Sequence, residues 1–299
     1  IAFYVLSAVL AYLLAVLMVH LSQRIVYTLR REVFEHLTTL PVGYFDTHAT
    51  GDIISHISYD IDTLNAFASG TDVPVLFGLI PSAASIWQER LPAGAPTADE
   101  QAWISQIYDS VNMPTIDLTT ALQCHSAENI YYRTDHHWTT LGAYYAYVEY
   151  CNAKGFEPVS LDEMNANEVN DFFGTYYSKC KKPGQESDII TWYDIPVEEF
   201  RFTGDTKNED MLKQCEVTEW NGMPMLSTDT MYQMEQFETR DKYAAFTWGN
   251  NGLTQIYSAD NRSKGEEPSR LLLIKDSFAN SMIPFLTYHY DEIWVMDLR

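Results

Sequence analysis

The sequence predicts an α/β protein built on a parallel sheet, preceded by an all-α segment of transmembrane type. Three observations carry that expectation. Residues Ile1 to Val19 contain no charged side chain, and about 20 such residues at ~1.5 Å each span a bilayer core. The patterning changes abruptly near Ser69 and Gly70. Beyond that point apolar runs alternate with helical spacing and end in strand, helix, strand, the rhythm of a parallel sheet flanked by helices. A chain of 299 residues has room for both pieces, and 46% hydrophobic with 14% aromatic residues argues against disorder.

In the first piece, Arg24, Arg30 and Arg31 follow the uncharged run and are the only lysine or arginine residues among the first 70. Positive charge on one flank marks the cytoplasmic side of a span. Residues Leu29 to Leu40 read as an amphipathic helix stopped by Pro41; a loop runs from there to Gly51, then a helix from Asp52 to Phe67. The chain opens on Ile1 rather than methionine, which reads as an incomplete beginning. The stretch SQRIVYTLRREVFEHLTTLPVGYFDTHATGDIISHISYDIDTLNAF, residues 22 to 67, resembles the second membrane helix and first intracellular loop of ABC exporters. The resemblance implies a piece of an ATP-driven transporter half that meets the membrane through residues 1 to 19. No G-x-x-x-x-G-K-[ST] loop occurs in the sequence, so no nucleotide site is expected, nor transport by this chain alone.

Charge and cysteines exclude further classes. Nineteen lysine and arginine residues face 41 acidic ones, for a net charge of -22. That sign repels phosphate backbones, and no basic stripe interleaves with aromatics, so no nucleic-acid partner is expected. Cys124, Cys151, Cys180 and Cys215 form no C-x-x-C, which removes zinc-ribbon and thioredoxin spacing. Free thiols are expected, with a single disulfide left open.

The second piece, residues 71 to 299, begins with VPVLFGLI, Val73 to Ile80, which reads as a buried strand closed by Pro81. Residues 98 to 111 carry helical spacing, Thr115 to Leu118 a short strand, and Asn129 to Tyr132 another. A helix is expected from about Thr139 to Lys154, with Thr139 or Thr140 as N-cap and Gly155 as its stop. Near the end, LLLI (271 to 274) is a continuous apolar run, succeeded by KDSFANS, a helix through Leu286, and the strand EIWVMDL.

Two constellations can carry chemistry. In extended backbone, residues i and i+2 point the same way, so Asp135 and His137 of the run Asp135-His136-His137-Trp138 can share a side. The carboxylate then accepts from one imidazole nitrogen and leaves the other as a base. A structural histidine pair at a helix start would show the same letters. Ser277 comes after an apolar strand and Asp276 and precedes a helix, which places it at the carboxyl edge of a sheet, where helix-start N–H groups favour a developing oxyanion. Alone, it is an ordinary N-cap serine.

Taken together, ENIYYRTDHHWTTLGAYYAY and LLLIKDSFANSMIPFLTYHYDEIWVMDLR resemble the DHHW protein family, a branch of the SGNH-hydrolase-like proteins similar to alginate O-acetylation proteins. LFGLIPSAASIWQERLPAGAPTADEQAWISQIY and DFFGTYYSK fit as well, so the resemblance spans about residues 71 to 299, with both ends read as truncated. It implies an SGNH-hydrolase-like α/β domain with Ser277 as nucleophile, His137 as general base and Asp135 as its orienter. The order Asp-His before Ser reverses the usual SGNH order, to which triad geometry is indifferent. Asn280, three residues past Ser277, is a weaker candidate for supporting the oxyanion. Gly249 and Asn250 of WGNNG are candidates for the glycine and asparagine of the SGNH name, and otherwise a tight turn. Arg133 is a candidate substrate contact, or a surface ion pair.

The resulting expectation is a serine esterase or O-acyltransferase acting on acetyl or similar esters of an envelope polysaccharide, needing no metal or organic cofactor. A manganese site of the DHH-phosphoesterase kind shares three letters, but its other aspartate motifs are not found. The non-enzymatic alternative is an inactive SGNH-like binding domain, or a fusion fragment without function. The arginines after the span put residue 20 onward in the cytoplasm, whereas the DHHW resemblance implies the outer side. The expectation is therefore a membrane-associated envelope protein with the side of its α/β domain open.

Overall fold

A computed structural model of the protein describes residues 50–95, 97–263, 265 and 267–297. The expected span Ile1–Val19 and the helix expected over Leu29–Leu40 lie outside them. Among the described residues, no helix is long and apolar enough to cross a membrane. The chain falls into two compact units, Ile1–Ala66 and Phe67–Arg299. Helix α1, Thr50–Ser69, contains the stretch expected to be helical, and the Gly70 N–H closes it on the Phe67 carbonyl.

The second unit opens with β1 (Phe77–Gly78), α2 (Ala83–Ile86), α3 (Glu100–Ser110), β2 (Thr115–Ile116) and α4 (Leu118–Cys124). The side chains of Asp99 and Asp117 cap α3 and α4 by accepting from the Ala102 and Thr120 N–H groups at 3.0 Å. Of the eight apolar residues expected as a buried strand, only two pair, in parallel with β2. Their partner is itself only two residues long, because Pro114 precedes it and the Asp117 cap turns the chain into α4. The strand expected at Asn129–Tyr132 reduces to a single bridge, Tyr131 to Trp138.

Helix α5, Thr140–Lys154, matches its expected bounds: Thr139 Oγ1 accepts the Gly142 N–H, and Gly155 ends it at φ 72°. Then come β3 (Ala166–Phe172), α6 (Thr175–Cys180), β4 (Asp188–Tyr193), β5 (Val197–Phe202), β6 (Glu216–Trp220), β7 (Met223–Thr228), β8 (Thr254–Ser258) and β9 (Arg270–Lys275). A 3-10 turn over Ser277–Ser281, α7 (Ile283–Leu286) and β10 (Glu292–Asp297) complete the described chain.

The main sheet has six strands in the order β6-β7-β5-β8-β10-β9, and it corrects the expected parallel sheet. Only β9 and β10 run parallel, with Leu273 opposite Val295; the β6–β7, β7–β5, β5–β8 and β8–β10 pairs are antiparallel. Parallel neighbours require a crossover segment, and the 3-10 turn with α7 supplies one between β9 and β10. By contrast, β6 and β7 are joined by Asn221-Gly222 alone, at φ 48° and 77°, the primed turn that matches the twist of an antiparallel hairpin. The terminal strand-helix-strand unit therefore does not represent the sheet. The run LLLI is also not buried on both faces: β9 is an edge strand with Leu272 and Ile274 exposed in alternation.

Helix α5 lies between two apolar clusters. Tyr147 and Cys151 join Phe200, Phe202, Ile256, Phe285, Ile293 and Val295 beneath the sheet, while Ala143 and Ala146 join Leu122, Ile130, Tyr131 and Trp138. Gly142 permits the close approach to the second cluster, because a Cβ there would stand 2.3 Å from the Ile130 carbonyl oxygen. All four cysteines are free, Cys124 and Cys180 exposed and Cys151 and Cys215 buried.

Candidate active site

Two local structures deliver the candidate residues. The first is a tight loop between Ile130 and Thr139, closed by Thr139 N–H donating to the Ile130 carbonyl at 2.9 Å and Tyr132 N–H to that of His137 at 3.2 Å. Its base is fastened by buried Asp188, which accepts from the Thr134 N–H and hydroxyl, both at 2.7 Å, and from the Arg133 N–H at 3.1 Å. The second is the end of β9. Asp276 Oδ1 accepts the Phe278 N–H at 3.0 Å, turning the chain so that Ser277 opens the 3-10 turn.

These structures bring Asp135, His137 and Ser277 into line. Asp135 Oδ1 lies 2.6 Å from His137 Nδ1 and accepts the His137 backbone N–H at 3.0 Å. His137 Nε2 lies 2.7 Å from Ser277 Oγ across 140 positions of sequence. With Asp135 ionised, the shared proton sits on Nδ1, and Nε2 accepts from the serine hydroxyl. All three side chains are buried, Ser277 and His137 each 6% exposed.

The electrostatics agree with that proton placement. Burial works to raise the Asp135 carboxyl, but hydrogen bonds from His136, from the His137 ring, and from the Thr175 and His137 backbone N–H groups outweigh it and hold the group well below the usual carboxylate range. Burial is also the largest influence on His137 and lowers it, ahead of the opposing hydrogen bond and charge of Asp135. The imidazole is thereby kept neutral and able to accept a proton.

Sequence reasoning missed the support of Asp135. Thr175, at the start of α6, donates its N–H at 2.8 Å and its hydroxyl at 3.0 Å to Asp135 Oδ2. Gly174 beside it leaves room for the carboxylate, since a Cβ there would stand 2.3 Å from that oxygen. The signal available was the Gly174-Thr175 pair in DFFGTYYSK; nothing in the sequence marks Asp188. His136 stays beside the pair: its ring lies 3.8 Å from that of His137, and Nδ1 stands 2.8 Å from Thr175 Oγ1. Trp138 is fully buried and its Nε1–H is directed to the Phe278 carbonyl at 2.8 Å and Ser281 Oγ at 3.0 Å.

The weaker candidates are spread around this line. Asn280 is buried; its Oδ1 accepts from Lys275 Nζ at 2.6 Å and its Nδ2 donates to Asn250 Oδ1 at 3.0 Å. Lys275 in turn pairs with buried Asp297 at 2.8 Å. Gly249, at φ 83°, ends a left-handed run with Thr247 at 53° and Trp248 at 56°. Arg133 directs its guanidinium to Glu186, Asp188 and the Ser187 carbonyl. Asp135, His136 and His137 each offer a cation-ligating atom, all within 4.8 Å of one another, but Asp135 and both ring Nδ1 atoms are already engaged with each other and with Thr175.

Comparison with known proteins divides the chain. Residues 1–80 match the ABC transporter transmembrane region, which associates this part with a membrane. One curated relative there is the ATP-dependent lipid A-core flippase of Haemophilus influenzae, 36% identical over 55 residues, covering 18% of this chain and 9% of that protein. The chain spans about a tenth of the length of such relatives. Among solved structures, a DHHW family protein from Eubacterium siraeum is 25% identical with a TM-score of 0.65, covering 81% of this chain and 76% of that one. Bacillus cereus PatB1, solved with a sulfonyl adduct, shares the fold at 18% identity and a TM-score of 0.62, over 82% of this chain and 79% of its own. The family model for DHHW protein matches residues 102–296, a span that holds both the Asp135-His136-His137-Trp138 run and Ser277, and the chain belongs to the DHHW protein family.

Proposed function

We propose that the α/β domain is an O-acyltransferase or esterase in which Ser277 is the nucleophile, His137 the general base and Asp135 its orienter. The observation that carries this reading is the continuous hydrogen-bonded line Asp135 Oδ1, His137 Nδ1, His137 Nε2, Ser277 Oγ, at 2.6 and 2.7 Å. In the first half-reaction Ser277 Oγ bonds to the acyl carbonyl carbon while its proton passes to His137 Nε2. The tetrahedral intermediate collapses as the imidazolium returns that proton to the departing alkoxide. In the second half, a sugar hydroxyl or water gives its proton to His137, attacks the acyl-serine and regenerates the Ser277 hydroxyl. Asp135 stays ionised throughout and stabilises the transient imidazolium. Because the Phe278 N–H is held by Asp276, the Ser277 N–H at the start of the 3-10 turn is the proposed backbone donor to the developing oxyanion. Acetyl esters and an envelope polysaccharide acceptor are the proposed substrates, in keeping with a chain whose first 80 residues match a membrane region.

The test is turnover of p-nitrophenyl acetate and acetyl transfer to oligosaccharides by the full chain in detergent. Ser277→Ala is expected to lower the rate by about three to six powers of ten, whereas His136→Ala keeps much of it. A second reading, a binding domain that retains the geometry without turnover, is favoured by the small exposure of Ser277 and His137, 6% each. Wild-type protein with no activity dependent on Ser277, yet with measurable oligosaccharide binding, would establish it instead.

A further inference from the structure

Tyr243 touches both halves of the candidate site. Its ring lies parallel to the His137 imidazole, with centroids 4.0 Å apart and planes at 13°. Its hydroxyl lies 3.1 Å from the carbonyl oxygens of both Ser277 and Phe278, and 3.2 Å from Ser281 Oγ. The side chain is 4% exposed and belongs to a 3-10 turn, Lys242–Ala245, that leads directly into the left-handed run at Thr247, Trp248 and Gly249. Backbone in that region, with a β-branched and an aromatic residue, persists only where the surroundings over-determine it.

We propose that Tyr243 is a positioning residue for acyl transfer at Ser277, registering the base and the nucleophile against one side chain. The proposal rests on the acyl-transfer function proposed for that serine. Asp135 holds the His137 imidazole at Nδ1 and its backbone N–H, and the rings of His136 and Phe278 meet it only obliquely, at 39° and 57°. The parallel Tyr243 ring against its face limits tilting about the Nδ1 end and keeps Nε2 on the line to Oγ. The phenol proton, shared between the Ser277 and Phe278 carbonyls, fixes the height of the serine turn relative to the same ring. Trp138 holds that turn from a second side, through the Phe278 carbonyl and Ser281 Oγ. A misplacement of about 1 Å between reacting groups costs about a hundredfold in rate, so a residue that touches neither substrate nor proton can still set the turnover.

The experiment compares wild type, Tyr243→Phe, Tyr243→Leu and Ser277→Ala in the full chain. It reads kcat and KM for p-nitrophenyl acetate, the rate of Ser277 sulfonylation by an aryl sulfonyl fluoride, and the NMR titration of the His137 ring. The charged or titratable groups acting on that ring are Asp135, His136 and Asp276, unchanged in these variants. Tyr243→Phe keeps the ring and loses the hydroxyl: kcat and sulfonylation are expected to fall about 10- to 100-fold with KM within about twofold. Tyr243→Leu is expected to lose at least as much and, by opening the imidazole face to water, to raise the His137 midpoint by about half a pH unit or more. Wild-type kcat and sulfonylation in Tyr243→Phe, with an unmoved His137 midpoint in Tyr243→Leu, would overturn the proposal. So would a loss explained entirely by a smaller folded fraction, with normal kcat per Ser277 still able to react with the sulfonyl fluoride. Should wild type lack activity dependent on Ser277 while Tyr243→Leu still shifts His137, the acyl-transfer reading falls and the registration by Tyr243 stands.

Discussion

At the scale of single residues, the candidate site is a set of short polar contacts taken out of water. His137 is held below its ordinary value chiefly by burial, with Asp135 pulling the other way. The group is neutral at pH 7, and the general-base role proposed for it would be lost on protonation only at lower pH. The acid limb of kcat/KM is therefore expected to have its midpoint below about 6.5. Asp135→Asn removes the influence that raises His137, so the midpoint should move further down while the rate drops by about four powers of ten. A pH–rate profile of both proteins checks the sign, and a midpoint that moves upward in the variant would contradict it. Gly174→Ala tests the same carboxylate by volume, because the added methyl would meet Asp135 Oδ2 at 2.3 Å. It is expected to lower kcat by about tenfold or more through displacement of Asp135, the proposed orienter, read against unchanged ester affinity.

At the scale of elements, the site depends on where strands and helices stop. Ser277 is placed by the end of β9 and the Asp276 cap, and Asp135 by the loop that Thr139 closes before α5. The Thr139 cap and the Gly155 stop were legible in the sequence because capping is a local competition for backbone N–H and C=O groups. The antiparallel strands between Ala166 and Ser258 were not read there, although Asn221-Gly222 is a hairpin signal in plain view. Gly222→Val puts a β-branched residue at φ 77° and is expected to destabilise the β6–β7 hairpin by about 1–3 kcal/mol. The check is the urea midpoint, with Gly222→Asn, which tolerates that region better, losing less.

At the scale of the whole α/β domain, buried polar groups link distant elements and make stability depend on pH. His289 lies between Tyr147 of α5 and Ser263, at 2.7 Å from each, and stacks on Phe156. Burial, with Arg262 adding to it, lowers the ring to about 4. Since the folded value lies below the unfolded one near 6.5, the unfolded chain takes up the proton first. The stability is complete above about pH 6.5 and is lost as pH falls toward 4, by up to about 3 kcal/mol. Denaturant titrations at pH 7 and 4.5 should show that loss in wild type and a smaller one in His289→Gln; equal losses would remove His289 from the account.

Some properties come from the order of residues alone, because they depend on neighbours in the chain. Helix α5 with its caps, the helical content of Thr50–Ser69 and Glu100–Ser110, and the strand-turn-strand around Ser277 are of this kind, since hydrogen bonds and side-chain periodicity act over a few residues. The pairing of Asp135 with His137 is also local, being two positions apart in a loop. Other properties belong to the folded chain. Sheet order, the antiparallel sense of most pairs, Thr175 and Gly174 beneath Asp135, and Tyr243 against His137 all join residues tens of positions apart. The 2.7 Å contact between His137 and Ser277 crosses 140 positions. Burial, which lowers His137, exists only once the two clusters around α5 have closed over the site. Local sequence can name a serine, a histidine and an aspartate, but their distance and the loss of water around them come from packing, which no short stretch of the chain encodes by itself.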